Sequence, residues 1–78
     1  MASLSISRRE FNLLRYFAEH QGSIVSRDEL LLRVWGHQAG TFTRTVDVHV
    51  ASLRQKLEIV PKKPEIITVP GIGYRVQI

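Results

Sequence analysis

Arg44, Val48, Ala51, Ser52 and Gln55 form a constellation whose residue types point to one chemistry. On a helix advancing about 100° per residue they fall on one side, opposite Val46, Val50, Leu53 and Leu57. A helix face that only needs solubility is filled with Glu and Lys. This one carries small residues, a β-branched apolar one, an amide and a guanidinium, so it admits close approach by a partner. Val48 and Ala51 can meet thymine methyl groups, Ser52 and Gln55 can bond base edges, and Arg44 can reach guanine or phosphate. Thr45, His49 and Lys56 border the face on one side, and Asp47 and Arg54 on the other. Such borders suit the phosphates that flank a major groove, with Asp47 expected to pair with a nearby cation. A competing reading docks Val48 and Ala51 on another protein and not on DNA.

Other chemistries find little support. His20, His37 and His49 have no metal-ligand spacing, and no nucleophile, base and acid can be assembled into a catalytic set. Gly71-Ile72-Gly73 lacks the strand, helix and full motif of a phosphate loop, so these glycines are expected in a turn. Neither enzymatic activity nor a cofactor or metal is expected.

The face must be held by a fold, and the punctuation of the chain outlines one. Ser7-Arg8-Arg9-Glu10 has the spacing of a capping box, which predicts a helix over Arg8 to His20, with Phe11, Leu14 and Ala18 at helical spacing and Gly22 as its stop. The same spacing in Ser26-Arg27-Asp28-Glu29 opens a second, short helix that Gly36 closes and that only tertiary contact can stabilise. Val46, Val50, Leu53 and Leu57 form the buried stripe of a third helix over about 43–58, ended by Pro61. Then the period changes. Ile66 to Val69 and Tyr74 to Ile78 flank Pro70-Gly71-Ile72-Gly73, which predicts a β-hairpin over 66–78. Leu4-Ser5-Ile6 alternates and is expected to pair beside that hairpin as a short strand.

Seventy-eight residues, 44% of them apolar, make one small folded domain over 1–78, with no second domain. The chain has no Cys, so packing alone must stabilise it. No membrane span or signal peptide is visible, which places the expected site of action in the cytoplasm. Eleven Lys and Arg against seven Asp and Glu give a net charge of +4, and the basic excess lies in residues 44–78, a modest invitation to a polyanion.

Three helices followed by a hairpin form an α+β winged helix-turn-helix. Residues 6–78 resemble the effector domain of OmpR/PhoB-type bacterial response regulators. The carrying motifs are Ile6-Ser7-Arg8-Arg9-Glu10-Phe11-Asn12-Leu13-Leu14 and Ser26-Arg27-Asp28-Glu29-Leu30-Leu31 through Val34-Trp35-Gly36. They continue as Arg44-Thr45-Val46-Asp47-Val48-His49-Val50, Leu53-Arg54-Gln55-Lys56-Leu57-Glu58, Thr68-Val69 and Gly71-Ile72-Gly73-Tyr74-Arg75. The resemblance implies sequence-specific binding of double-stranded promoter DNA, with the third helix in the major groove and the hairpin as wing. It implies backbone contacts from Trp35, Arg44, His49, Arg54 and Tyr74, to which Thr45, Lys56 and Arg75 are added here. It also implies contact with RNA polymerase through loop 37–43, and head-to-tail dimers on direct repeats.

The sequence departs from that pattern in three places. Ala51 and Ser52 stand where relatives often place Arg, which shifts base readout to other side chains or to DNA shape. Pro70 stands where a basic wing residue often enters the minor groove, leaving the wing to touch the backbone. The family's N-terminal four-stranded sheet is represented only by Leu4 to Ile6, as expected of a C-terminal domain shortened at its start, the alternative being a natural stand-alone protein.

Overall fold

The computed structural model describes residues 5–36 and 42–77. In chain order it has α1 (Arg8–Glu19), β1 (Ile24–Ser26), α2 (Arg27–Leu30) running on as a π-helical turn (Leu31–Trp35), α3 (Thr43–Leu57), β2 (Glu65–Val69) and β3 (Gly73–Gln77). The strands form one antiparallel sheet in the order β1-β3-β2. No described helix is long and apolar enough to cross a membrane.

Ser7 and Glu10 form the reciprocal cap that their spacing implies: the Glu10 N–H donates to Ser7 Oγ at 3.1 Å, and the Ser7 N–H to Glu10 Oε1 at 2.9 Å. The helix ends at Glu19, one residue before the expected His20, whose backbone has left helical dihedrals. Beyond it the Gly22 N–H donates to the Val76 carbonyl, which draws the chain onto the sheet. The second box closes only halfway. Ser26 Oγ accepts the Glu29 N–H at 3.0 Å, but the Glu29 carboxylate is taken by the Tyr16 hydroxyl and does not turn back to cap.

The third strand of the sheet is β1, not the expected Leu4–Ile6. Ser5 and Ile6 lie outside any strand, and Leu4 lies outside the described residues. β1 pairs along the free edge of β3, with Val25 opposite Tyr74 and Ser26 opposite Gly73. The wing turn has Pro70 followed by Gly71 at φ +75°, and the Ile72 N–H closes it on the Val69 carbonyl at 3.0 Å. β2 and β3 fall within the expected hairpin apart from Glu65, which β2 adds; Ile78 is not among the described residues.

The core sits between the helices and one face of the sheet. Helix α3 contributes Val46, Val50, Leu53 and Leu57, the four positions of its expected apolar stripe. They pack with Leu13 and Phe17 of α1, Leu30, Trp35, and Val25, Ile66, Tyr74 and Val76 of the sheet. Each such side chain contributes about 1.5–3 kcal/mol by leaving water. With α3 buried along one side, its opposite side must face outward.

Candidate nucleic-acid interface

Arg44, Val48, Ala51 and Gln55 are all exposed and line the crest of α3, with Val48 59% accessible. Their spacing of four, three and four residues makes one continuous stripe. Among the described residues Arg44 has no ion pair and no side-chain hydrogen bond. It sits in the first turn of a helix whose N-cap, Phe42, offers no side-chain acceptor. The positive end of the helix dipole there adds to the charge of the guanidinium.

One flank of α3 is gripped by α1. Ser52 Oγ donates to Glu10 Oε2 at 2.6 Å, and Lys56 Nζ donates to Glu10 Oε1 at 2.7 Å. Glu10 is 3% exposed. Burial pushes its carboxyl up, but the bonds from Lys56, Ser52 and Ser7 outweigh burial and bring it down from 4.5 to about 2. A carboxyl held below its unfolded value stabilises the fold above pH about 4.5, and that contribution is lost as the pH falls through about 2. Acid titration of the folded chain should therefore show stability declining across that window. Glu10→Gln should flatten the decline, as read by urea midpoints at successive pH values.

Further along the same flank, His49 Nδ1 donates to the Thr45 carbonyl at 2.9 Å, and its ring meets Trp35 edge-to-face at 5.1 Å. Trp35 is buried, with the Arg9 guanidinium 5.3 Å from its ring centroid. Arg9 is fixed in turn by a 2.9 Å bond to the Val34 carbonyl.

The other flank is gripped by the sheet. Asp47 accepts from the Tyr74 hydroxyl at 2.6 Å and from Arg27 Nη1 at 2.8 Å, which supplies the cation expected for it. Burial, and then the bond to Asp47, push the Tyr74 hydroxyl up to about 12, so it remains a donor. Arg54 donates to the Ile66 carbonyl from Nε at 3.0 Å and from Nη2 at 2.7 Å. Its Nη2 also bonds Thr68 Oγ1 at 2.6 Å, and its guanidinium lies 5.4 Å from the Tyr74 ring centroid.

The expected site residues thus divide into groups. Arg44, Val48, Ala51 and Gln55 come together on the open crest. Ser52, expected to read bases, is turned toward α1 with its hydroxyl proton committed to Glu10, because it lies to the side of the crest. Lys56, Arg54 and Tyr74, expected on phosphates, hold α3 to its neighbours. Arg75 alternates with the buried Tyr74 and Val76 and so lies on the sheet face turned away from α3, its Nε without a hydrogen-bond partner among the described residues. Loop residues 37–41 lie outside the described residues.

Glu10, Arg27 and Thr68 complete the site and were not anticipated. Glu10 reads from sequence as a helix cap only. The one available signal is that Ser52 and Lys56, four residues apart on α3, share a flank with no acid of their own helix beside them.

The family model described as "Transcriptional regulatory protein, C terminal" matches residues 2–76. The chain is 42% identical over 77 residues to the alkaline phosphatase synthesis transcriptional regulatory protein PhoP of Bacillus subtilis, covering 97% of this chain and 32% of PhoP. The DNA-binding domain of Bacillus subtilis CssR superposes with a TM-score of 0.82 at 36% identity, covering 95% of this chain and 80% of that one. The Klebsiella pneumoniae RstA DNA-binding domain, solved in complex with the RstA box, superposes with a TM-score of 0.77 at 35% identity, covering 94% and 73%. The chain spans about a third of the length of the curated relatives it matches. These matches are to regulators and not to enzymes. A three-helix unit with a three-stranded sheet, an outward stripe on α3 and a match along nearly its whole length together show that the chain belongs to the OmpR/PhoB-type family of winged-helix transcriptional regulatory C-terminal domains.

Proposed function

We propose that this domain binds double-stranded promoter DNA sequence-specifically, with the crest of α3 in the major groove and the β2–β3 hairpin as wing. The observation that carries this reading is the contrast along α3. Both flanks are tied to the rest of the protein, while Arg44, Val48, Ala51 and Gln55 stand exposed between them. Val48 and Ala51 meet thymine methyl groups, Gln55 pairs with a base edge, and Arg44 reaches guanine or phosphate. Thr45 and His49 border the groove on the α1 side. At the wing tip Pro70 and Ile72 are exposed, which supports contact with backbone and not a cationic insertion.

In the whole regulator the domain works in the cytoplasm, as one half of a head-to-tail pair on direct repeats, with loop 37–43 turned to RNA polymerase. Selection of bound sites from a random duplex pool tests both levels. An enriched half-site occurring twice at fixed spacing is expected, with affinity falling with salt at a slope of about −0.9 per phosphate neutralised. Recovery of no preferred sequence, with affinity indifferent to salt, would contradict the reading.

A further inference from the structure

We propose that Glu10 is a specificity-determining residue: by holding Lys56 within the protein it withdraws one cation from the border of α3, a cation that would otherwise bind phosphate whatever the sequence. The proposal rests on the DNA-binding reading above. Lys56 lies roughly 110° round the helix from the crest, on the His49 flank, where a long flexible stem can reach a phosphate beside the groove. Its ammonium is instead 2.7 Å from Glu10 Oε1, with the lysine side chain only 36% exposed. The carboxylate cannot follow the lysine outward, because Glu10 is buried and fixed by the Ser7 N–H and Ser52 Oγ.

In a site-specific complex the base contacts fix where the phosphates lie. In a non-specific one the domain is free to shift until each cation meets a phosphate, so a released Lys56 strengthens the second more than the first. Glu10 acts on DNA through Lys56 and is a positioning residue. Glu10→Gln is the informative variant, since its amide oxygen still accepts from Ser7 or Ser52 while the charge holding Lys56 is gone.

The test is binding of the chain to a mixed-sequence duplex of about 30 base pairs across a salt series, with folding checked by thermal melting. For E10Q the slope of log affinity against log salt should steepen by about 0.9. That corresponds to non-specific binding about eightfold tighter near 0.1 M salt, if the curves converge near 1 M. K56Q alone should leave the slope unchanged, and the E10Q/K56Q double variant should return it to the wild-type value. A folded E10Q with an unchanged slope overturns the proposal, and so does a K56Q whose slope is flatter by about 0.9, since Lys56 would then already be on phosphate. If E10Q does not fold, the K56Q slope decides alone, unchanged in support or flattened in contradiction. Wild-type chain that binds the duplex without salt dependence overturns the DNA reading and this proposal with it.

Discussion

Gly73→Ala is expected to cost about 3 kcal/mol of folding stability, a large share of what a domain this small possesses. A Cβ at that position would run into the Val25 carbonyl oxygen and sit 2.8 Å from Ser26 Cα. Both are backbone atoms of β1, so relief requires β1 to part from β3. That separation opens the core at Val25 and frees the strand that carries Tyr74 to Asp47. Urea unfolding should show the lowered midpoint, with DNA affinity falling alongside it. Gly71→Ala is the contrasting case. Its Cβ meets nothing within 4 Å among the described residues, leaving only the strain of φ +75°, about 1–2 kcal/mol.

Arg44→Ala should do the reverse, weakening DNA binding by about 1–3 kcal/mol while leaving the melting temperature unchanged. Arg44 is exposed and supports nothing among the described residues, so its removal takes away only what it gives to a partner. If that partner is a phosphate, the salt slope should also flatten by about 0.9. Arg54→Ala separates a structural cation from a contacting one. It strips the Ile66 carbonyl and Thr68 of their donor, so stability falls first and affinity follows with little change in slope. An Arg44 variant that melts early, or an Arg54 variant that loses slope at full stability, would exchange the roles assigned to the two residues.

What could be read from the chain alone follows the physics of periodicity. Val46, Val50, Leu53 and Leu57 recur at helical spacing, so the buried and exposed sides of α3 were both legible, and with them the crest from Arg44 to Gln55. The hairpin announced itself by β-branched runs about a Pro-Gly turn. β1 did not, because three residues between two helices carry no period of their own, and their pairing partner Gly73–Arg75 lies far along the chain. Helical period also says which side a residue occupies, not what lies across from it. Ser52 and Lys56 therefore read as groove residues, although Glu10, more than forty positions earlier, binds both. The strand partner of Arg54 was hidden for the same reason: a guanidinium at the edge of a basic helix suits a phosphate and a strand carbonyl equally well. Asp47 did not mislead, since an acid beside a polyanion site needs a cation, and Arg27 supplies it.

The docking of α3 is tested most directly by following backbone amide shifts as a selected duplex is titrated into the chain at low salt. Perturbations centred on Arg44, Val48, Ala51 and Gln55, extending to Thr45, His49 and the wing turn at Pro70–Ile72, are expected. Perturbations that leave this stripe unmoved and gather elsewhere, or none at all while a protein partner shifts Val48 and Ala51, would contradict it.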